Sequence, residues 1–253
     1  MTNLWTIRPL FFGEFPEYEK SWCTYMRNAG EKIRVPAVGW LLQSGGENIL
    51  VDTGPPPPAI ANQFHTHMEQ TVEQRPEVAL RNAGVDAAGL ELVIFTHLHW
   101  DHCHNVELFS AARFVVQRQE VHTAVDPIST QRVTYESRVP GLHPPWFPVL
   151  NRLEMVDGDV ELAPGLHLIV LPGHTPGLQG ILVETTKGRH LIASDALPLY
   201  ENLGADQTED IPPGLHYDVA ASLRSLNRMR EVAEVVLPGH DLQVFQQPLY
   251  PVF

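Results

Sequence analysis

The chain has 253 residues, of which 43% are apolar and 19% are charged, as is ordinary for a globular protein with a large core. Its formal net charge of −13 argues against a nucleic-acid binder, because such proteins hold phosphates with lysine and arginine. The sequence contains neither a run of the roughly 20 apolar residues that span a membrane nor a signal-peptide pattern, which favours a cytoplasmic protein.

Strands and helices alternate in the first half of the chain. Ser44-Gly45-Gly46-Glu47 separates two apolar runs and predicts a β-hairpin. The four prolines at 55–58 predict an end to regular structure, because proline lacks a backbone donor. The predicted elements are strands at 40–43 and 48–51, a helix at 70–83 closed by Gly84, a strand at 90–95, a short helix at 105–112, a strand at 113–117 and a helix at 119–124.

The second half begins with segment 126–148, which holds five prolines and the exposed-looking pair Trp146-Phe147. We predict a loop-rich insertion there, within a single domain that spans 1–253. Strands and helices in two similar halves predict an α/β layered domain. The later elements are strands at 166–171, 180–184, 189–193 and 235–237, and a helix at 218–232 with Asp218 as its N-cap.

Four metal-capable side chains stand within six residues, directly after the predicted strand at 90–95. They are His97, His99, Asp101 and His102. A chain that leaves a strand can fold such a cluster around a small volume. Neutral imidazole and carboxylate are ligands for Zn²⁺, Fe²⁺, Mn²⁺ and Co²⁺, so the run predicts a metal site.

Three further polar residues follow predicted strands, each in a turn flanked by glycine or serine. They are His174, Asp195 and His240. Glycine before a ligand lets the backbone turn tightly, and loops at strand ends are where a layered scaffold presents functional side chains. A metal site also explains part of the high count of 13 histidines.

These seven positions, in this order, resemble the signature of the metallo-β-lactamase superfamily, and the resemblance extends from Val38 to His240. It implies a four-layer αββα sandwich with the metals at one edge between two mixed sheets. It also implies two divalent ions, with zinc as the expected metal and iron, manganese or cobalt as alternatives. In that arrangement one metal takes His97, His99 and His174, the second takes Asp101, His102 and His240, and Asp195 bridges both.

Within the superfamily the chain most resembles N-acyl homoserine lactonases, on the segments 99–105, 114–120, 174–179 and 239–241. The implied reaction is the opening of a lactone by a hydroxide that bridges the metals, which also stabilise the oxyanion. We predict Asp101 and Tyr200 as catalytic residues. Those lactonases commonly carry a tyrosine three residues after the bridging aspartate, where this chain has Pro198. Tyr200 either takes over its contact with the substrate carbonyl or is a packing residue.

Other functions on the same scaffold stay open. The alternatives are a thioesterase, a β-lactamase-like amidase and a hydrolytic dehalogenase, whereas a non-catalytic metal sensor would predict broken ligands. The predicted partner is a small molecule with an apolar portion, because aromatic residues at 11–25 and 146–147 line either a pocket or the core. We predict no nucleic-acid or membrane partner, and a monomer or homodimer.

Several residues near the motif have less definite roles. Asp52 is predicted to orient ligand loops through hydrogen bonds, and Cys103 to be a small buried apolar residue. His65 and His67 form a second HxH pair among polar residues, which favours a solvated helix or loop face. His104 is either a hydrogen-bond donor behind the ligands or an exposed side chain.

Overall fold

Eleven strands and four α-helices make up the computed structural model, which describes residues 4–251. The strands are β1 (Thr6–Glu19), β2 (Lys32–Ser44), β3 (Glu47–Val51), β4 (Leu92–Ile94), β5 (Arg113–Gln117), β6 (Leu153–Val156), β7 (Val160–Ala163), β8 (Leu166–Val170), β9 (Gln179–Thr185), β10 (Gly188–Ser194) and β11 (Val235–Pro238). The α-helices are α1 (Pro58–Phe64), α2 (Pro76–Asn82), α3 (Arg118–Val125) and α4 (Val219–Val232). Short 3₁₀ helices lie at Lys20–Trp22, Ala87–Gly89, Val106–Leu108, Ser129–Gln131, Phe147–Arg152, Tyr200–Asn202 and Leu242–Gln246.

The strands form two mixed sheets. The first has the order β1-β2-β3-β4-β5-β6 and changes from antiparallel to parallel pairing at β3. The second has the order β11-β10-β9-β8-β7 and is antiparallel except between β10 and β11. Parallel neighbours bring their carboxyl ends to the same edge of a sheet, where loops can meet.

Alternation along the strands divides the core into layers. In β4, Leu92 and Ile94 join an apolar cluster between the two sheets, whereas Val93 joins the cluster that packs against α1, α2 and α3. In β9, Ile181 joins the central cluster and Leu182 joins the cluster beneath α4. Helices therefore cover the outer face of each sheet, and the predicted αββα sandwich is confirmed.

Several predicted boundaries were wrong because of local backbone chemistry. The helix predicted at 70–83 begins only at Pro76, since the fixed φ of proline suits the first helical position. Residues 55–57 have no regular structure, as predicted, but for the same reason Pro58 begins α1. The helix predicted at 105–112 is one 3₁₀ turn, entered through Asn105 at φ +61°. The helix predicted from Asp218 is confirmed, and this aspartate accepts a hydrogen bond from the Ala221 amide.

Segment 126–148 consists mainly of turns around one short 3₁₀ helix, and it packs against the predicted metal-binding loop. The Trp100 amide donates to the Thr134 carbonyl at 2.8 Å. The predicted exposed aromatic pair is half wrong, because Trp146 is 1% exposed and only Phe147, at 59%, is accessible. None of the helices within residues 4–251 has the length and apolar character needed to cross a membrane.

Candidate metal centre

The seven side chains predicted as ligands converge at the carboxyl ends of β4, β8, β10 and β11. They form three overlapping groups in which the candidate ligand atoms all lie within 4.8 Å of one another. The groups are His97 with His99 and His174, His97 with His102 and Asp195, and Asp101 with His102 and His240. Residues that are up to 143 positions apart therefore share one small, mostly buried volume.

Three of the five imidazoles are held from behind at Nδ1 by a carboxylate or a backbone carbonyl. Each donates a hydrogen bond to an oxygen, which leaves Nε2 as the ligand-capable atom with a free lone pair. The pairs are His102 with Asp52 Oδ2 at 2.8 Å, His174 with the Leu215 carbonyl at 2.7 Å and His240 with the Pro36 carbonyl at 2.8 Å. The backbone of β2 and the loop before α4 thus orient two of the histidines.

Three histidine nitrogens in the cluster lack the partners that buried polar atoms normally have. Nε2 of His97, of His99 and of His102 is buried and has no hydrogen-bond partner among residues 4–251. Such atoms are costly to bury unless something binds them. Five imidazoles and two carboxylates are a donor set that suits zinc, iron, manganese or cobalt, so the residues fit a divalent metal.

Asp195 lies between the two predicted ligand groups. Its Oδ1 is 3.2 Å from His240 Nε2 and 3.3 Å from His102 Nε2, and its Oδ2 is 3.5 Å from His174 Nε2. Asp101 Oδ2 is 3.7 Å from the Nε2 atoms of both His102 and His240. A carboxylate that meets histidines of both groups has the position required of a bridging ligand.

The electrostatics of the cluster divide its histidines into two groups. Burial, reinforced by neighbouring imidazoles, lowers the pKa of His97 and of His99 well below its ordinary value. Burial opposes ionisation of Asp195, but His240 and His102 nevertheless hold the pKa of this carboxyl well below its usual range. Although burial opposes it, Asp195 raises the pKa of His102 and of His240, so a divalent cation that binds these two rings would displace their protons.

Asp52 supports the ligand loop, as predicted. It accepts hydrogen bonds from the Thr96 amide at 2.8 Å, the Thr96 hydroxyl at 2.7 Å and the His102 ring at 2.8 Å. The carboxylate therefore fixes both the end of the strand that precedes the motif and the orientation of one ligand ring. Cys103 is fully buried, in agreement with its prediction as a small apolar residue.

Glu120, in α3, is a supporting residue that the sequence analysis missed. Its fully buried carboxylate accepts from the Leu98 amide at 3.1 Å, the Tyr135 hydroxyl at 2.8 Å and the Thr175 hydroxyl at 2.6 Å. Glu120 thus joins the first ligand loop to the turn that carries His174. The available signal was a glutamate next to apolar Val121 in a short helix that follows a buried strand.

The prediction of a solvated face for the second HxH pair was wrong for His65 and right for His67, which is exposed. The side chain of His65 is 2% exposed, its ring stacks on Trp100 at 4.0 Å, and its Nε2 lies 2.6 Å from Glu136 Oε1. His104 Nε2 lies 3.2 Å from the same oxygen, so it supports segment 126–148 and not a ligand. Although burial opposes it, contact with His104 and His65 lowers the pKa of Glu136 to about 2.

Tyr200 lies in the 3₁₀ helix that follows Asp195, and its ring packs against the apolar cluster between the sheets. Its amide donates to Asp241 Oδ2 at 3.1 Å. Burial, followed by the neighbouring Tyr250, raises the pKa of the Tyr200 hydroxyl. Pro198, the departure from the lactonase pattern, accepts a hydrogen bond from the His240 amide at 2.9 Å through its carbonyl. The catalytic role of Tyr200 stays a prediction.

An αββα sandwich with a histidine- and aspartate-rich centre at its strand ends is typical of metal-dependent hydrolases. The family model described as the metallo-beta-lactamase superfamily matches residues 34–240, and the chain belongs to this superfamily. An N-acyl homoserine lactonase of Bacillus cereus is 32% identical over 228 residues, which are 85% of this chain and 84% of that protein. N-acyl homoserine lactonase AiiB of Agrobacterium fabrum is 28% identical over 235 residues, covering 84% and 82%.

Solved structures of similar proteins agree with this assignment. A quorum-quenching N-acyl homoserine lactone lactonase superposes with a TM-score of 0.75 at 26% identity, over 96% of this chain and 94% of that chain. An N-acyl homoserine lactone hydrolase, with the product N-hexanoyl-L-homoserine at its catalytic metal centre, superposes with a TM-score of 0.76 at 25% identity, over 97% and 96%. The similarity therefore covers nearly the whole chain.

Proposed function

We propose that this protein opens the ring of N-acyl homoserine lactones or closely related lactones, with two divalent ions, zinc being the expected metal. The observation that carries the proposal is the set of three overlapping ligand groups, in which Asp195 meets histidines assigned to both metals. The names of the relatives, matched over more than four fifths of this chain, support the substrate class.

The residues have distinct roles in this proposal. Two bound ions would lower the pKa of water so that hydroxide forms near neutral pH, and would polarise the lactone carbonyl. The first ion would be held by His97, His99 and His174, the second by Asp101, His102 and His240, and both by Asp195. Asp52 keeps His102 in the correct orientation, and Asp101 is the most exposed of the seven ligands.

The surroundings of the centre suit a substrate with an apolar portion. Trp22 is 42% exposed, its ring packs edge-on against Tyr18 at 5.2 Å, and its carbonyl accepts a hydrogen bond from the Leu215 amide at 2.8 Å. The Tyr18 ring in turn stacks on the ligand His240 at 6.4 Å, so the accessible Trp22 side chain lies one aromatic ring away from the ligands. Such an aromatic surface favours an acyl chain or a similar apolar group.

A hydrolysis screen tests the proposal. The zinc-loaded protein is assayed on acyl homoserine lactones, simple γ- and δ-lactones, aryl esters, thioesters and β-lactams. We expect turnover of lactones, abolished by His102→Ala and retained by His67→Ala, which removes an exposed imidazole outside the cluster. If no lactone is hydrolysed while thioesters, β-lactams or another class are turned over, the substrate assignment is wrong and the corresponding alternative function replaces it.

A cytoplasmic location and a monomeric or homodimeric state stay predictions from the sequence.

A further inference from the structure

Tyr18, near the end of β1, is brought to the metal centre by an irregularity in its strand. Phe15 pairs with Val35 and Tyr18 pairs with Ile33, so three steps along β1 oppose two along β2. In a regular strand, residues three apart point to opposite faces. The one-residue bulge places Phe15 and Tyr18 on the same side, and bulges often re-aim side chains in this way beside active sites.

The ring contacts confirm this orientation. The Tyr18 ring lies 6.4 Å from the His240 ring at an interplanar angle of 22°, and the Phe15 ring also lies 6.4 Å from His240. A phenol ordinarily keeps its proton near neutral pH, so the Tyr18 hydroxyl can act as a hydrogen-bond donor. Tyr18 is only half-buried, so its side chain is partly accessible to a ligand.

Pro198 stands where the resemblance to lactonases implies a tyrosine, and Tyr200 packs into the layer between the sheets beside Tyr250. Tyr18 reaches the centre from another element, the N-terminal strand. The ring of Tyr135 also contacts a candidate ligand, His99 at 4.6 Å, but Tyr135 is fully buried and its hydroxyl donates to Glu120. Tyr18, whose ring stacks on His240, is partly accessible.

We propose that Tyr18 donates a hydrogen bond to the carbonyl oxygen of the substrate and thereby takes the place of the tyrosine missing at Pro198. This inference rests on the proposed function. When hydroxide adds to the carbonyl carbon, the π electron pair moves onto this oxygen and strengthens the hydrogen bond from Tyr18. The ring C–O bond then breaks, the departing alkoxide takes a proton, and the sum is lactone plus water giving hydroxy acid. Tyr18 retains its own proton throughout.

Three single substitutions that each remove one hydroxyl test the inference. Tyr18→Phe keeps the ring stacked on His240, Tyr200→Phe tests the competing residue, and Tyr25→Phe is the matched control, since its ring packs on His216 at 4.9 Å. We expect Tyr18→Phe to lower kcat about 10- to 100-fold with a smaller change in KM. Calorimetry should show N-hexanoyl-L-homoserine binding to zinc-loaded Tyr18→Phe about 3- to 10-fold more weakly. Metal content should be unchanged.

The outcomes separate this inference from the proposed function. Unchanged kcat and product affinity in Tyr18→Phe would overturn the inference while wild-type lactone hydrolysis still stood. If kcat falls only in Tyr200→Phe, Tyr200 and not Tyr18 is the hydrogen-bond donor. If Tyr18→Phe loses bound metal together with kcat, the role of Tyr18 is to support the metal centre structurally. If wild-type protein opens no lactone, the proposed function fails, and the same three variants are compared on the ester class that it does hydrolyse.

Discussion

Replacing Asp52 by asparagine should weaken metal binding without removing any candidate ligand. The substitution keeps the shape of the side chain but replaces one carboxylate oxygen by an NH₂ group. The oxygen that faces His102 Nδ1 at 2.8 Å now accepts that ring's hydrogen. An amide NH₂ at this position is a donor, so it favours the tautomer of His102 that carries its hydrogen on Nε2. Nε2 is the atom that faces Asp195 and Asp101, and a protonated nitrogen cannot bind a metal.

The size of the effect follows from the lost contacts. In the wild type, the Asp52 oxygen that asparagine would replace, Oδ2, accepts hydrogen bonds from the Thr96 hydroxyl at 2.7 Å and from His102 Nδ1. The hydroxyl can turn to Ser194 Oγ, 3.0 Å away, whereas the ring must change tautomer. Loss of a hydrogen bond behind a metal-binding histidine lowers metal affinity by about 10- to 100-fold. We expect a loss of this size for Asp52→Asn, together with about 1–3 kcal/mol of unfolding free energy.

The assay is a competition titration of metal-depleted protein with zinc against a chromophoric chelator. Asp86→Asn is the matched control, because this aspartate caps an exposed 3₁₀ helix and undergoes the same chemical change. Its zinc affinity should equal that of the wild type. Wild-type affinity at both sites of a folded Asp52→Asn protein would refute the tautomer argument.

Two predictions concern buried carboxylates that hold the ligand loops. Glu120→Gln should lower the free energy of unfolding by about 1–3 kcal/mol, because one of its three donors loses a carboxylate acceptor. Urea denaturation measures this effect, with exposed Glu107→Gln as the control, and equal losses in both variants would contradict it. Because the pKa of Glu136 is lowered to about 2, its stabilising effect is present above about pH 4.5 and is lost as the pH falls towards 2. Glu136→Gln should therefore lower the free energy of unfolding by about 1–3 kcal/mol at pH 7 and by less at about pH 3.5. If denaturation shows the same difference between wild type and variant at both pH values, the contacts of ionised Glu136 with His65 and His104 are not the cause.

The fold was predictable where the local sequence pattern indicates a strand or a helix. Buried runs such as the one that contains β4 and the capped helix from Asp218 are local signals, and both lie where predicted. The N-terminal strand β1 was not predicted, because two register shifts and Pro16 interrupt its alternation. Its pairing with β2 is a long-range contact, which a local pattern does not encode.

The candidate ligands were predictable because residue type and spacing carry the chemistry of metal binding. Their supports were largely hidden. The carbonyls of Pro36 and Leu215 orient His240 and His174, yet a backbone oxygen gives no signal in residue type. His65 was assigned to solvent because its partner, Glu136, follows 71 positions later in the chain.

The number of metal ions per chain tests the central claim most directly. Metal-depleted protein is loaded with zinc, freed of excess ion and analysed for metal content, with lactone hydrolysis measured on the same samples. We predict about two ions per wild-type chain and the loss of at least one in Asp195→Asn, because this side chain meets histidines of both ligand groups. One ion or none in a fully active wild-type enzyme would contradict the two-metal account.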